Sequence, residues 1–179
     1  MNVYMSQEER NLISKYLGYD KVMLEWGAGD STLFFSQYVK EYISIEHKKE
    51  WYDEIKPKIN RRRPDNRFDS VNNIKLHYVK PNLPPSHPRK PEEFLDYINY
   101  VDVLNKKYDI VLVDGRVRPH CAYKVIPYLN ENAVVFIHDF WQRRSSGEWA
   151  RSHYHWILEH YKEIESIKRG QGIVALRLQ

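Results

Sequence analysis

One stretch constrains this 179-residue chain more than any other: Val22-Met23-Leu24-Glu25-Trp26-Gly27-Ala28-Gly29-Asp30-Ser31-Thr32. A short apolar run closes on an acid, Glu25, and a glycine turn then opens a helix. That order of parts is how an α/β sheet builds a ligand site at the carboxyl edge of its first strand. Glycines in such a turn let backbone approach a ligand where a Cβ would collide. Ser31 or Thr32 is placed to cap the helix, whose amino end favours negative charge. A second acid, Glu46, closes the run Tyr42-Ile43-Ser44-Ile45 about twenty residues after Gly27. At that spacing a doubly wound sheet presents a carboxylate to ribose hydroxyls. A Gly-x-Gly alone is weak. An ordinary strand, turn and helix with no ligand would leave both strand-end acids without a purpose.

Thr32 stands where a dinucleotide fingerprint wants a third glycine or alanine. The pattern of acid, Gly-x-Gly, small polar residue and later Glu resembles the class I S-adenosylmethionine-dependent methyltransferases more than the nicotinamide enzymes. That resemblance implies that Gly27, Gly29 and the backbone near Ser31, in the turn that also holds Asp30 and Thr32, bind the amino-acid end of S-adenosylmethionine. It implies that Glu25 lies beneath the loop, ordering it and facing the ligand ammonium. Glu46 would take the ribose hydroxyls, with His47 near the adenine. Val79-Lys80-Pro81-Asn82 lacks the acid often found after the third strand, so the remaining adenine contact stays open.

Along the chain, Ser6-Gln7-Glu8-Glu9 is a capping box, and Leu12, Ile13, Tyr16 and Leu17 follow at helical spacing up to Gly18. Strands are expected at about Lys21 to Glu25, Tyr42 to Glu46 and Ile74 to Val79. Helices are expected from Ser31 to about Val39 and from Lys48 to Asn60, with Pro57 a kink or an early end. Pro81 to Pro91 holds five of the nine prolines and excludes a regular element. A helix around Glu92 to Asn105 follows. Tyr108 to Asp114 carries the unbroken run Ile110-Val111-Leu112-Val113, the mark of a central parallel strand. A further helix, a strand at Ala133 to Ile137 and a long helix from about Glu148 to His160 come next. The tail reads as two strands, Lys162 to Ile167 and Ile173 to Leu178, joined by Arg169-Gly170-Gln171-Gly172. Alternating strands and helices imply a parallel sheet covered on both faces. The terminal hairpin resembles the seven-stranded methyltransferase fold, in which the last strand inserts antiparallel. The expectation is one α/β, Rossmann-like domain over residues 1–179.

In such a sheet the ligand lies beyond the carboxyl ends of the strands. Those ends bring together Glu25, Glu46-His47, Asp114-Gly115-Arg116 and His138-Asp139-Phe140-Trp141. Methyl transfer asks mainly for alignment of donor and acceptor, and orientation can supply about 7–11 kcal/mol. A hydroxyl acceptor must also lose its proton, for which Asp114, His138 and Asp139 are the candidates, His138 as a general base held by a carboxylate. Metal-dependent O-methyltransferases bind magnesium through an acid after strand four and a pair after strand five. Asp114 and His138-Asp139 stand at those places, with His138 departing from the oxygen donors Mg²⁺ prefers. The alternative is that His138 and Asp139 only cap the turn. Arg116 and Arg118 either grip an anionic or polyhydroxyl acceptor or are solvated at a helix start. Pro81 to Pro91 and the segment from Trp141 to Trp149 are candidate walls of the acceptor pocket.

Composition excludes several classes. No apolar run reaches membrane-spanning or signal-peptide length. One cysteine, Cys121, cannot form an internal disulfide, which fits a reducing, cytoplasmic setting. Net charge is +4, part of it in Arg61-Arg62-Arg63 with Lys56, Lys58 and Arg67. That cluster is read as a solvated helix end or as attraction for an acidic substrate or nucleic acid. With 14 Tyr and 5 Trp, ring-lined pockets for sugars are affordable, although most such rings serve the core. An S-adenosylmethionine-dependent O-methyltransferase of a small molecule, sugar or glycan leads. Behind it stand a nucleic-acid methyltransferase, against which Asp114-Gly115-Arg116-Val117 replaces the Asn-Pro-Pro-Tyr-type motif, an NAD-dependent oxidoreductase and a non-catalytic binding module.

Overall fold

A computed structural model describes residues 5–60, 73–86, 89–143, 149–151, 154–169 and 172–179. The basic cluster Arg61-Arg62-Arg63 with Arg67, and the tip of the terminal hairpin at residues 170–171, lie outside the described residues.

The described residues form nine strands in chain order: β1 Gly18–Trp26, β2 Val39–Glu46, β3 Ile74–Tyr78, β4 Tyr108–Val113, β5 Leu129–His138, β6 Trp141–Arg143, β7 Trp149–Arg151, β8 Tyr161–Ile167 and β9 Ile173–Leu178. Seven of them make one sheet in the order β3-β2-β1-β4-β5-β9-β8. The first five run parallel, and β9 inserts antiparallel between β5 and β8. This is the expected Rossmann-like, seven-stranded arrangement with its antiparallel hairpin. The chain winds outward from β1 to β3, then returns to lay β4 on the other side of β1. A crevice therefore opens between the carboxyl ends of β1 and β4, where ligands bind in such sheets.

The core explains the strand assignments. Ile110 and Leu112 pack on one face with Met23, Phe35, Phe136 and helix α1 (Gln7–Ser14). Val111 and Val113 pack on the other with Leu24, Trp26, Ile137 and helices α4 (Leu95–Leu104) and α5 (Arg118–Lys124). Because both faces are covered, the run can be apolar at every position. Helix α2 (Asp30–Phe35) is shorter than expected and ends in a 3-10 turn at Ser36–Tyr38. Helix α3 (Lys49–Asn60) continues through Pro57 and seats Ile55 and Ile59 against Leu33. No described helix is long and apolar enough to cross a membrane.

One expectation fails. Instead of a long helix from Glu148 to His160, Trp149–Arg151 pairs as β7 with Trp141–Arg143, and only a 3-10 turn forms at His155–Glu159. Ile157 and Trp156 instead pack in the core cluster that includes Cys121 and Ala122 of α5.

Candidate functional site

Two glycines interlock where β1 and β4 end. Gly27 turns at φ +101°, and a Cβ there would sit 2.7 Å from the backbone nitrogen of Gly115. A Cβ on Gly115 would in turn meet the Tyr97 hydroxyl at 2.0 Å. Backbone hydrogen bonds hold the junction: Gly27 N–H donates to Ile45 O at 2.9 Å and Asp114 N–H to Trp26 O at 2.8 Å. Gly29 differs. It is extended, and a Cβ there would meet nothing closer than Ser31 Oγ at 3.8 Å, so the space above it is open cavity.

Glu25 lies beneath this loop, fully buried. Its carboxyl accepts from Ser31 Oγ at 2.6 Å, Ser44 Oγ at 2.7 Å and Thr32 Oγ1. Thr32 Oγ1 also accepts from Gly29 N–H at 3.1 Å. That gives Thr32 a reason that a glycine or alanine at its place could not satisfy. Burial pushes the Glu25 carboxyl up to about 7, against the three hydroxyl donors that favour its charge, and the Asp114 charge adds to the rise. Glu25 thus orders the loop from below and is not among the residues facing the cavity.

Glu46 takes hold of the same loop from β2. Its Oε2 accepts from Ala28 N–H at 2.7 Å and its Oε1 from Lys48 N–H at 2.6 Å. A carboxylate has about four acceptor sites, so two remain for hydroxyls. His47 lies with its ring edge-on to Phe94 and Tyr97, at centroid distances of 5.4 and 5.1 Å.

The cavity these residues enclose measures about 370 Å³, within the range of small-molecule sites. Its wall includes Gly27 to Ser31, Glu46 and His47 on one side and Asp114 to Arg116, Arg118 and Asp139 on the other. Asp30 is therefore present on the wall, 3.6 Å from Lys58 Nζ. Sequence reasoning did not single out Met5, Lys48 and Trp51, which complete the wall. Trp51 follows Glu46-His47 by one helical turn, and that proximity to a strand end was the available signal.

At the β4–β5 edge the candidates meet, but in unequal roles. His138 is 1% exposed and does not face the cavity. Its Nδ1 donates to Asp114 Oδ1 at 2.8 Å, and its Nε2 lies 3.5 Å from Glu9 Oε1, an ion-pair separation rather than a good hydrogen bond. Burial disfavours the imidazolium, yet Asp114, Glu9 and the more distant Asp139 outweigh it and hold His138 up to about 9. A group already protonated at neutral pH cannot begin as a general base. Glu9 is the neighbour of His138 that the sequence concealed. Its capping-box role is real, with Ser6 N–H donating to Oε2 at 2.7 Å, but Oε1 also accepts from Gly172 N–H at 3.0 Å. The helix sits where its docking onto the sheet, a tertiary fact, places that second oxygen beside His138.

Arg118 is 6% exposed and bonded on every side. Nε donates to Gly115 O at 3.1 Å, and Nη1 donates to His138 O at 2.8 Å and to Asp139 Oδ2. Nη2 reaches Asp114 O at 3.2 Å and Asp114 Oδ1 at 3.4 Å. Arg116, by contrast, is exposed at the cavity rim. Trp141 is buried against Phe140, beneath Lys168 Nζ at 4.4 Å from its ring centroid, and beside Gly172; it does not line the cavity.

Asp114, His138 and Asp139 each offer a ligand atom within 4.8 Å of the others, the spacing a metal cluster needs. The donors themselves do not fit a divalent ion. His138 Nδ1 already engages Asp114 Oδ1, and a guanidinium already lies against Asp114 and Asp139.

No protein-family model and no curated protein sequence matches this chain. Solved structures do. A methyltransferase-like protein from Silicibacter pomeroyi is similar at 20% identity and a TM-score of 0.64, over 99% of this chain and 88% of that one. A precorrin-6y C5,15-methyltransferase from Geobacter metallireducens is similar at 16% identity and a TM-score of 0.60, over 98% and 90%. A Streptococcus mutans protein solved in complex with SAH is similar at 9% identity and a TM-score of 0.59, over 97% of each chain. The chain has the class I S-adenosylmethionine-dependent methyltransferase fold.

Proposed function

We propose that residues 1–179 act as one cytoplasmic S-adenosylmethionine-dependent O-methyltransferase domain whose acceptor is a hydroxyl of a small molecule, sugar or glycan. The observation that carries this reading is the cavity at the β1–β4 crevice, walled by the Gly27–Ser31 loop, Glu46 and Asp114. S-adenosylmethionine, when bound, supplies a methyl group on a sulfonium centre. Gly27, the open space over Gly29, and Ser31 hold its amino-acid end, and Glu46 has acceptor sites left for ribose hydroxyls. His47 stands on the wall for the adenine.

On the acceptor side, Asp114 is the proton-accepting group. It is the carboxylate that both faces the cavity and leans on His138, and among the described residues none donates to its Oδ2. Asp114 would accept the proton of an acceptor hydroxyl as that oxygen takes the methyl group from the sulfonium of a bound donor. His138 acts behind Asp114 as a fixed cation, and Arg116 at the rim meets the acceptor. Trp51 on the wall offers the apolar face that a sugar ring uses.

Calorimetry with S-adenosylmethionine, its demethylated product and NAD tests the cofactor. Saturable binding of the first two and none of NAD is expected. NAD binding alone would overturn the reading, and a salt-sensitive affinity for RNA would replace the acceptor. Turnover against a panel of free glycans and nucleotide sugars, with mass spectrometry of the product, identifies the acceptor.

A further inference from the structure

We infer that Arg118 is the resident cation of the β4–β5 edge, standing between Asp114 and Asp139 where a divalent ion would otherwise bind, so that this edge holds no metal site while Arg118 is in place. The guanidinium is buried and makes bonds to three backbone carbonyls and two carboxylates. Those carbonyls, of Asp114, Gly115 and His138, are the last acceptors of β4 and β5 and the turn between them and α5. A planar fork with five donors can meet all of these at once, and a hydrated ion of fixed octahedral geometry cannot.

The local backbone is bent to make the pairing. Val117, just before Arg118, is left-handed at φ +46°, a conformation that a β-branched residue rarely adopts. Asp139, its partner, is left-handed at φ +52°. Both turns aim a side chain at the same point, and strained positions persist only where their surroundings over-determine them. The ion pairs agree: Asp114 and Asp139 face one guanidinium, and Asp114 Oδ1 also accepts from His138 Nδ1 at 2.8 Å. Arg118 is a positioning residue in this scheme: it sets Asp114 against the cavity and touches no reacting atom.

Mn²⁺ is the probe, because its binding can be followed by calorimetry and by electron paramagnetic resonance without any acceptor. The chelator-stripped wild-type chain is expected to show no saturable Mn²⁺ site. Arg118→Ala frees two carboxylates and is expected to gain one site, at least tenfold tighter than any wild-type binding. Adding Asp139→Asn to that variant should abolish the gain. A merely structural arginine would leave metal affinity unchanged. A saturable Mn²⁺ site in wild type that Asp139→Asn removes overturns the inference, as does a folded Arg118→Ala protein with no gain. Should circular dichroism show Arg118→Ala unfolded, Arg118→Gln takes its place, and the wild-type and Asp139→Asn titrations decide by themselves. The purpose given to the cation rests on the methyl-transfer reading. The Mn²⁺ result is independent of it, whereas loss of S-adenosylmethionine binding in wild type would sink that reading alone.

Discussion

Glu25 and His138 are both buried at strand ends, and their surroundings set their charges in opposite senses. Glu25 has only hydroxyl partners, so burial wins and its carboxyl rises from 4.5 to about 7. The folded state then binds this proton more tightly than the unfolded chain. Its contribution to stability is full below pH 4.5 and is lost as pH climbs through about 7. The size is about 3 kcal/mol, from roughly 1.4 kcal/mol per pH unit. Glu25→Gln should therefore flatten the fall in urea stability between acid and neutral pH, and equal falls in wild type and variant would exonerate Glu25. His138 has three carboxylates around it, Asp114, Glu9 and Asp139, so its pKa rises from 6.5 to about 9 and its contribution, present below 6.5, is lost as pH rises through about 9. The two windows are offset enough to be told apart. Glu9→Gln isolates the second, because glutamine keeps the capping box while removing the charge. Carbon-13 NMR of the His138 ring should show its midpoint falling in that variant; an unmoved midpoint would leave the effect to Asp114 and Asp139.

At the scale of elements, the β1–α2 loop and the β4–α5 turn are pressed together with no room for a side chain. Gly115→Ala drives a methyl into the Tyr97 hydroxyl, which has no hydrogen-bond partner among the described residues, and leaves it tight against Tyr97 Cζ at 3.2 Å and Gly27 N at 3.3 Å. Overpacking of this kind costs about 1–3 kcal/mol. Combining it with Tyr97→Phe should recover part of the loss, since the severest clash is gone and no bond is forfeited, while the Cζ and Gly27 N contacts stay tight. Gly27→Ala should not be rescued this way, because it meets backbone and needs φ +101°. Thermal unfolding of the three proteins checks the contrast. The sequence made the first loop legible, since Glu25, Gly27, Gly29 and Glu46 are local signals of spacing and residue type. The apolar run of β4 was legible for the same reason. Gly115 was read only as part of Asp114-Gly115-Arg116, because its need for hydrogen in place of a methyl comes from Tyr97 on α4, eighteen positions away in the chain. Strand β7 fell within the stretch expected as helix, Glu148 to His160; what makes it a strand is its pairing with Trp141–Arg143, a contact between segments that local propensity does not report.

The whole molecule gathers its site from elements far apart in sequence. Met5 and Glu9 come from the start of the described chain, Glu46 and Trp51 from the β2–α3 turn, Asp114 from β4 and Gly172 from the threshold of β9. A ligand that fills this cavity therefore bridges both halves of the sheet, and it must resist unfolding of the whole. Binding to the folded state alone adds about 2.7 kcal/mol at a hundred times the dissociation constant. For a chain of this size each kcal/mol raises Tm by about 2–4 °C. S-adenosylhomocysteine at that ratio should accordingly raise the melting temperature by about 5–11 °C, while NAD at equal concentration should not. Glu46→Gln should erase most of the rise at the same ligand concentration, because Glu46 both ties Ala28 and offers the remaining acceptor sites. A shift of the wild-type size in Glu46→Gln would mean that the ligand lies elsewhere in the crevice, and the ribose assignment would then have to be given up.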